Sequence, residues 1–174
     1  MQGASSAGMF FGQRLVVGVA DLAASRDAQA VLSTYSLGSC IGVVAYDARA
    51  MVGGILHVML PSSAIAPDKA AAQPAMFVDT GLELFLRTLG ALGAEHGQTR
   101  LVVAGGASVI AGHDPFRIGE RNAGAALEHL RRSGYGVLHT DIGGIVNRAL
   151  HLEMDAGLVT ITTPQKGSRV SLAP

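Results

Sequence analysis

Two apolar runs, Cys40 to Tyr46 (CIGVVAY) and Met51 to Leu60 (MVGGILHVML), are separated only by Asp47-Ala48-Arg49-Ala50, and no other feature constrains the fold of this chain as strongly. Runs of this length, rich in β-branched residues and joined by so short a linker, predict an antiparallel hairpin, although the favoured Asn-Gly turn is absent. Pro61 ends the second run, because proline cannot donate to a strand ladder. A hairpin also fixes which side chains meet. A turn centred between Ala48 and Arg49, as a two- or four-residue loop requires, sets Cys40 directly opposite His57. Opposed Cβ atoms lie about 4.5 to 5.5 Å apart, so a thiol and an imidazole come within hydrogen-bond reach. A three-residue loop, or a bulge at Gly53-Gly54, would put the two on opposite faces.

The remaining segments build a layered domain around this hairpin. Arg14 to Ala20, Ala30 to Leu37, Arg100 to Ala104, Val137 to Ile142, Arg148 to Met154 and Leu158 to Thr163 read as further strands from their β-branched and aromatic content. Leu82, Phe85, Leu86 and Leu89 follow the i, i+3, i+4, i+7 spacing of a helix over Asp79 to Leu92, with Asp79 as the expected cap. A second helix is expected from Gly119 to Arg132, with Ala123, Ala126, Leu127 and Leu130 inward and Gly134 as its stop. About eight strands, bunched rather than alternating with about two helices, predict an α+β fold: a single layered domain with a mostly antiparallel or mixed β core. Residues 1–12 are expected to be a flexible tail and 13–174 the domain. Ser62 to Pro74 reads as an exposed loop of lid or docking length.

Composition narrows the partners. Thirteen basic and thirteen acidic residues cancel and no dense Lys/Arg run exists, which removes the footprint of a nucleic-acid binder. No apolar stretch approaches the roughly 18 to 20 residues of a membrane span, and the N-terminus lacks a signal-peptide pattern. With a single cysteine, no internal disulfide is available, so a cytoplasmic, reducing setting is expected. His96, His113, His129, His139 and His151 show no metal-ligand spacing, so no metal or other cofactor is expected.

A lone Cys or His in an apolar strand would by itself be read as core packing. The Leu37-Gly38-Ser39 turn before Cys40 and the register to His57 instead suggest a nucleophile and its base: an adjacent imidazolium lowers a thiol's pKa and supplies thiolate. Thr34 and Ser36 share a face of the preceding strand by period two, so either hydroxyl could orient the other nitrogen of His57. The backbone N–H groups near Ser39 and Cys40 are natural oxyanion donors. Gly105-Gly106-Ala107-Ser108 follows a strand but fits no nucleotide-binding pattern, and reads as a tight turn lining the site.

The stretches TYSLGSC (Thr34 to Cys40) and GGILHVMLP (Gly53 to Pro61) resemble the signature of the CheD family of chemoreceptor glutamine deamidases. The resemblance continues in order through AGGAS (Ala104 to Ser108), IGERN (Ile118 to Asn122) and DIGG (Asp141 to Gly144). It implies a catalytic triad of Cys40, His57 and Thr34, with Gly38, Ser39, Ser36, Gly105, Gly106 and Ser108 as oxyanion or site-lining candidates. It further implies hydrolysis of glutamine side chains on methyl-accepting chemotaxis receptors through a thioester, and a CheC-type phosphatase as a second partner. One departure is Ile145, where the family commonly places Asn after the DxGG motif. Two rival readings use the same surface: a non-catalytic module that docks receptors or the phosphatase, and a receptor glutamyl methylesterase.

Overall fold

A computed structural model of the protein describes residues 13–108 and 114–174; the expected tail, 1–12, and His113 lie outside the described residues. Ten strands, three α-helices and two 3-10 turns follow in the order β1 (Arg14–Val17), β2 (Asp21–Ser25), β3 (Val31–Leu37), β4 (Ile41–Asp47), β5 (Val52–Val58), the turn Ser63–Ile65, α1 (Pro67–Ala72), the turn Pro74–Met76, α2 (Val78–Ala91), β6 (Arg100–Gly105), α3 (Ile118–Arg132), β7 (Val137–Ile142), β8 (Arg148–Glu153), β9 (Leu158–Thr162) and β10 (Gly167–Ser171). The strands form two five-stranded sheets, ordered β1-β3-β8-β9-β10 and β2-β5-β4-β6-β7. Pairing is antiparallel except for β1 with β3 and β6 with β7. This is the expected α+β architecture with a mixed β core.

The predicted hairpin is the centre of the molecule. Every residue of β4 and β5 is buried, because the second sheet is covered on both faces. Alternation along β4 divides the core in two. Ile41, Val43 and Ala45 turn toward α2 and α3 and pack with Leu82, Phe85 and Leu130. Val44 and Tyr46 turn the other way and pack with Leu32, Leu150, Leu152 and Ile161 of the first sheet. The order of layers is therefore helices, second sheet, first sheet. Among the described residues no helix is long and apolar enough to cross a membrane.

Several expectations needed correction. Strands β2 and β10 were not foreseen: DLAAS and GSRVS carry too few apolar residues to signal strands, and they form at sheet edges where backbone pairing suffices. The segment expected to be a loop, Ser62 to Pro74, holds the first 3-10 turn and α1. Asp79 does not cap α2, whose N-cap is Phe77 without a side-chain bond. Its carboxylate instead accepts from the N–H of Ser63 at 2.9 Å and from the Ser63 hydroxyl at 2.7 Å, tying the 3-10 turn to the helix.

Gly54 of β5 lies where a side chain has no room: a Cβ there would sit 2.7 Å from the carbonyl oxygen of Ala23 and 2.8 Å from the ring of Phe85. Gly54→Ala is expected to destabilise the protein by about 1–3 kcal/mol, a drop of roughly 3–10 °C in Tm. Thermal unfolding followed by circular dichroism checks this, and an unchanged midpoint would show that β2 and α2 do not hold β5 as closely as described.

Candidate active site

The hairpin turn is centred between Arg49 and Ala50, one residue later than expected, because the buried carboxylate of Asp47 organises it. One oxygen accepts from the N–H groups of Arg49 at 2.9 Å and Ala50 at 3.1 Å, and the other accepts from the N–H of Glu95 at 2.8 Å. Asp47 thus pairs with Val52 as the last strand residue, and Gly42 rather than Cys40 stands opposite His57. Moving the centre by one residue moves the pairing by two, so the face is preserved. Cys40 and His57 both turn toward the first sheet, as diagonal rather than direct neighbours, and Gly42 presents no side chain opposite the imidazole.

His57 is fully buried. Its strand is flanked by β2 and β4, and its carbonyl accepts from the N–H of Ala20 at 2.9 Å, so the backbone beneath the ring is fixed. Across the gap between sheets, Nδ1 lies 2.8 Å from the hydroxyl of Thr34 on β3. That hydroxyl has one proton, and it is given to the carbonyl of Val17 at 2.8 Å. The Thr34 oxygen must therefore accept from His57, which assigns the proton to Nδ1 and leaves a bare lone pair on Nε2. Nε2 is buried and has no hydrogen-bond partner among the described groups. A buried acceptor without a protein partner costs about 1–3 kcal/mol, and such an atom marks a place where a ligand can be met.

Cys40 is half-buried at the head of β4 and packs against the core between the sheets. Its loop is clamped from three sides. The N–H of Gly106 donates to the carbonyl of Cys40 and that of Ala107 to the carbonyl of Gly38, each at 2.8 Å. Gly105 makes this approach possible: it holds φ +114°, and a Cβ on it would sit 2.2 Å from the Cys40 oxygen. From α3, the side-chain nitrogen of Asn122 donates to the carbonyls of Ser39 and Met59, both at 2.9 Å. The N–H groups of Ser39 and Cys40 donate to no described backbone carbonyl.

Of the remaining predicted residues, Ser36 is not brought to His57. The register between β3 and β8 shifts between Thr34 and Leu37, Ser36 takes a left-handed φ of 58°, and its side chain is exposed. Period two fails across such a bulge, so of the two hydroxyls Thr34 is the one that bonds the imidazole. Ser108 is exposed and tied by its N–H to the carbonyl of Gly144 at 2.9 Å, one loop away from Cys40. The DIGG loop is held by Arg148, which bonds Asp141 at 2.8 Å and the carbonyl of Gly143 at 2.9 Å, and Gly143 in turn donates to the carbonyl of Gly105. Ile145 projects into solvent at 78% exposure. Among the described residues no cluster could hold a metal ion. Asn122 was not foreseen as a site residue; the signal was an amide on the same stripe as Ala126 and Leu130, where an apolar residue is expected.

Comparison with known proteins places these residues in context. The family model described as CheD chemotactic sensory transduction matches residues 59–163. A protein of Anaeromyxobacter dehalogenans named "Probable chemoreceptor glutamine deamidase CheD 2" is 40% identical over 157 residues, covering 90% of this chain and 97% of its own. Relatives with the same functional name in Syntrophus aciditrophicus and Syntrophotalea carbinolica are 38% and 35% identical, covering 84% and 88% of this chain and 92% and 96% of theirs.

Burial governs the protonation of the pair. It pushes the Cys40 thiol up from its ordinary value, partly offset by the backbone N–H of Cys40 itself, and it holds His57 down to about 4. Both groups are therefore neutral in the free protein near pH 7, in place of the ion pair expected from sequence. The unfolded chain takes up a proton on this histidine below about 6.5 while the folded protein refuses it until about 4, so stability must fall as pH falls through that window. The loss due to His57 is about 3 kcal/mol. Urea unfolding at several pH values between 4 and 7, compared with His57→Gln, measures it; equal slopes in the two proteins would contradict a depressed His57.

Proposed function

The chain belongs to the CheD family, and from that premise we propose that it is a chemoreceptor glutamine deamidase in which Cys40 attacks the substrate, His57 carries the proton and Thr34 positions His57. The observation that carries this reading is the hydrogen bond from His57 Nδ1 to Thr34, with Nε2 left bare beside the half-buried thiol strand. A neutral imidazole with its free lone pair on Nε2 is the form a general base needs, and its depressed pKa keeps that form present at neutral pH.

The sequence of steps follows from the neutral pair. As the Cys40 sulfur bonds to the side-chain carboxamide carbon of a receptor glutamine, the thiol proton passes to Nε2. The negative charge that develops on the carboxamide oxygen is stabilised by the N–H groups of Ser39 and Cys40. His57 then returns the proton to the departing nitrogen, ammonia leaves, and a thioester joins the glutamyl carbon to sulfur. A water gives one proton to Nε2 while its oxygen attacks the thioester, and the proton returns to sulfur as the C–S bond breaks. The balance is one water consumed, with one glutamate and one ammonia formed. Through both halves Thr34 keeps the ring from rotating, because its oxygen accepts only while Nδ1 carries a proton. A nucleophilic thiol also requires Cys40 to be reduced, which accords with a reducing compartment.

Incubating receptor fragments with the protein tests the proposal. Cys40→Ala is expected to abolish ammonia release, and release at the wild-type rate would refute the assigned nucleophile. Thr34→Val, which keeps the shape but removes the hydroxyl, is expected to lower kcat roughly 10- to 100-fold with KM little changed, whereas Thr34→Ser restores activity to within a few-fold. Methanol from methylated receptors in place of ammonia would assign the methylesterase reaction instead.

A further inference from the structure

We propose that Asn122 is a positioning residue for the oxyanion site: by holding the carbonyl of Ser39 it aims the N–H of Cys40 at the substrate oxygen. The inference rests on the deamidase reading above and adds a residue to it. The carbonyl of Ser39 and the N–H of Cys40 belong to one peptide group. That group is planar and trans, so fixing the carbonyl at one end fixes the direction of the N–H at the other. Asn122 holds this carbonyl at 2.9 Å and spends its second proton on the carbonyl of Met59, two residues beyond His57. One side-chain amide therefore joins the peptide that carries the nucleophile to the strand that carries the base. A hydrogen bond accepted by a carbonyl also polarises the N–H of the same peptide, which strengthens it as a donor.

The surroundings give Asn122 little freedom. It is fully buried on α3, with Ala123 and Ala126 packed beside it in the core. Its oxygen is buried without a partner, although exchanging the two atoms of the amide would face an acceptor against two carbonyls. Both amide protons are thus committed to carbonyls on either side of the site, which a residue serving only to fill space would not require. The Ser39–Cys40 peptide also needs such a tether: Gly38, Ser39 and Cys40 lie between β3 and β4, and the Cys40 N–H is not fixed by a carbonyl of its own.

Two reactions of the same sulfur separate this role from general damage. Deamidation passes through an oxyanion, whereas alkylation of Cys40 by iodoacetamide does not. Asn122→Ala is expected to lower kcat for ammonia release by roughly 10- to 100-fold, below the loss typical of deleting an oxyanion donor outright, with KM within a few-fold. The rate of Cys40 alkylation and its pH profile should stay within about two-fold of wild type. Should the alanine variant fail to fold, Asn122→Ser retains one small donor, and the same two rates are read on it. The amide nitrogen resonance of Cys40 should shift in either variant, reporting the lost bond to Ser39. Unchanged kcat, or equal slowing of deamidation and alkylation, would overturn the role of Asn122 while leaving the deamidase reading intact. Wild-type ammonia release no faster than that of Cys40→Ala would overturn the deamidase reading and this one with it.

Discussion

The hydrogen bond between Thr34 and His57 is a polar link across a largely apolar seam, which the hydroxyl of Tyr46 also crosses to reach the carbonyl of Met154. It joins two sheets that meet through Leu32, Leu37, Val44, Ile55 and Leu150, whose apolar contacts are non-directional. An imidazole buried in that seam without a partner for its N–H would cost about 1–3 kcal/mol. The Thr34–His57 bond therefore favours the offset that brings β3 over β5. Thr34 is itself committed by its bond to Val17, at the end of β1, so the edge strand contributes to the site through the threonine. The parallel pairing of β1 with β3 delivers the Val17 carbonyl at the level of the threonine.

The same burial decides the chemistry. A pair of charges in this seam would pay desolvation on both members, and the directions of the two shifts agree that each group stays neutral until substrate arrives. In the proposed reaction, proton transfer is then coupled to bond formation at sulfur instead of preceding it. Such a site keeps its thiol quiet in the absence of the carboxamide, which suits a protein whose one cysteine is half-buried. This geometry depends on glycine at position 105, which lies against the Cys40 carbonyl at a backbone angle other residues rarely adopt.

Around the pair, three loops act as one support. Arg148 holds the DIGG loop, the DIGG loop holds Gly105 through Gly143, and Gly106 and Ala107 hold the loop before Cys40. Asn122 closes the arrangement from the helical layer. Two segments, the turn after β6 and α3, thus bond directly to Gly38–Cys40, and the DIGG loop with Arg148 supports the first of them. This explains why the motifs resembling the CheD family are scattered along the chain yet serve one place.

Much of this was legible in the sequence, and the limits of that legibility are physical. The lengths and apolar content of CIGVVAY and MVGGILHVML determined a hairpin, and strand alternation determined that Cys40 and His57 share a face, a conclusion that survived an error in the turn centre because that error moved the pairing by an even number. The helical stripes over Leu82 to Leu89 and Ala123 to Leu130 were equally plain, since periodicity is a local property. What sequence could not supply were interactions between distant residues: Asp47 capping its turn with help from Glu95, the bulge that sends Ser36 outward and leaves Thr34 inside, the carbonyl of Val17 that fixes the imidazole proton, and Asn122 reaching both Ser39 and Met59. Local pattern determined which faces are apolar and which residues alternate between them; only the packed layers decided which polar atoms meet, because partners so far apart in sequence are selected by the shared offset of two sheets and a helix.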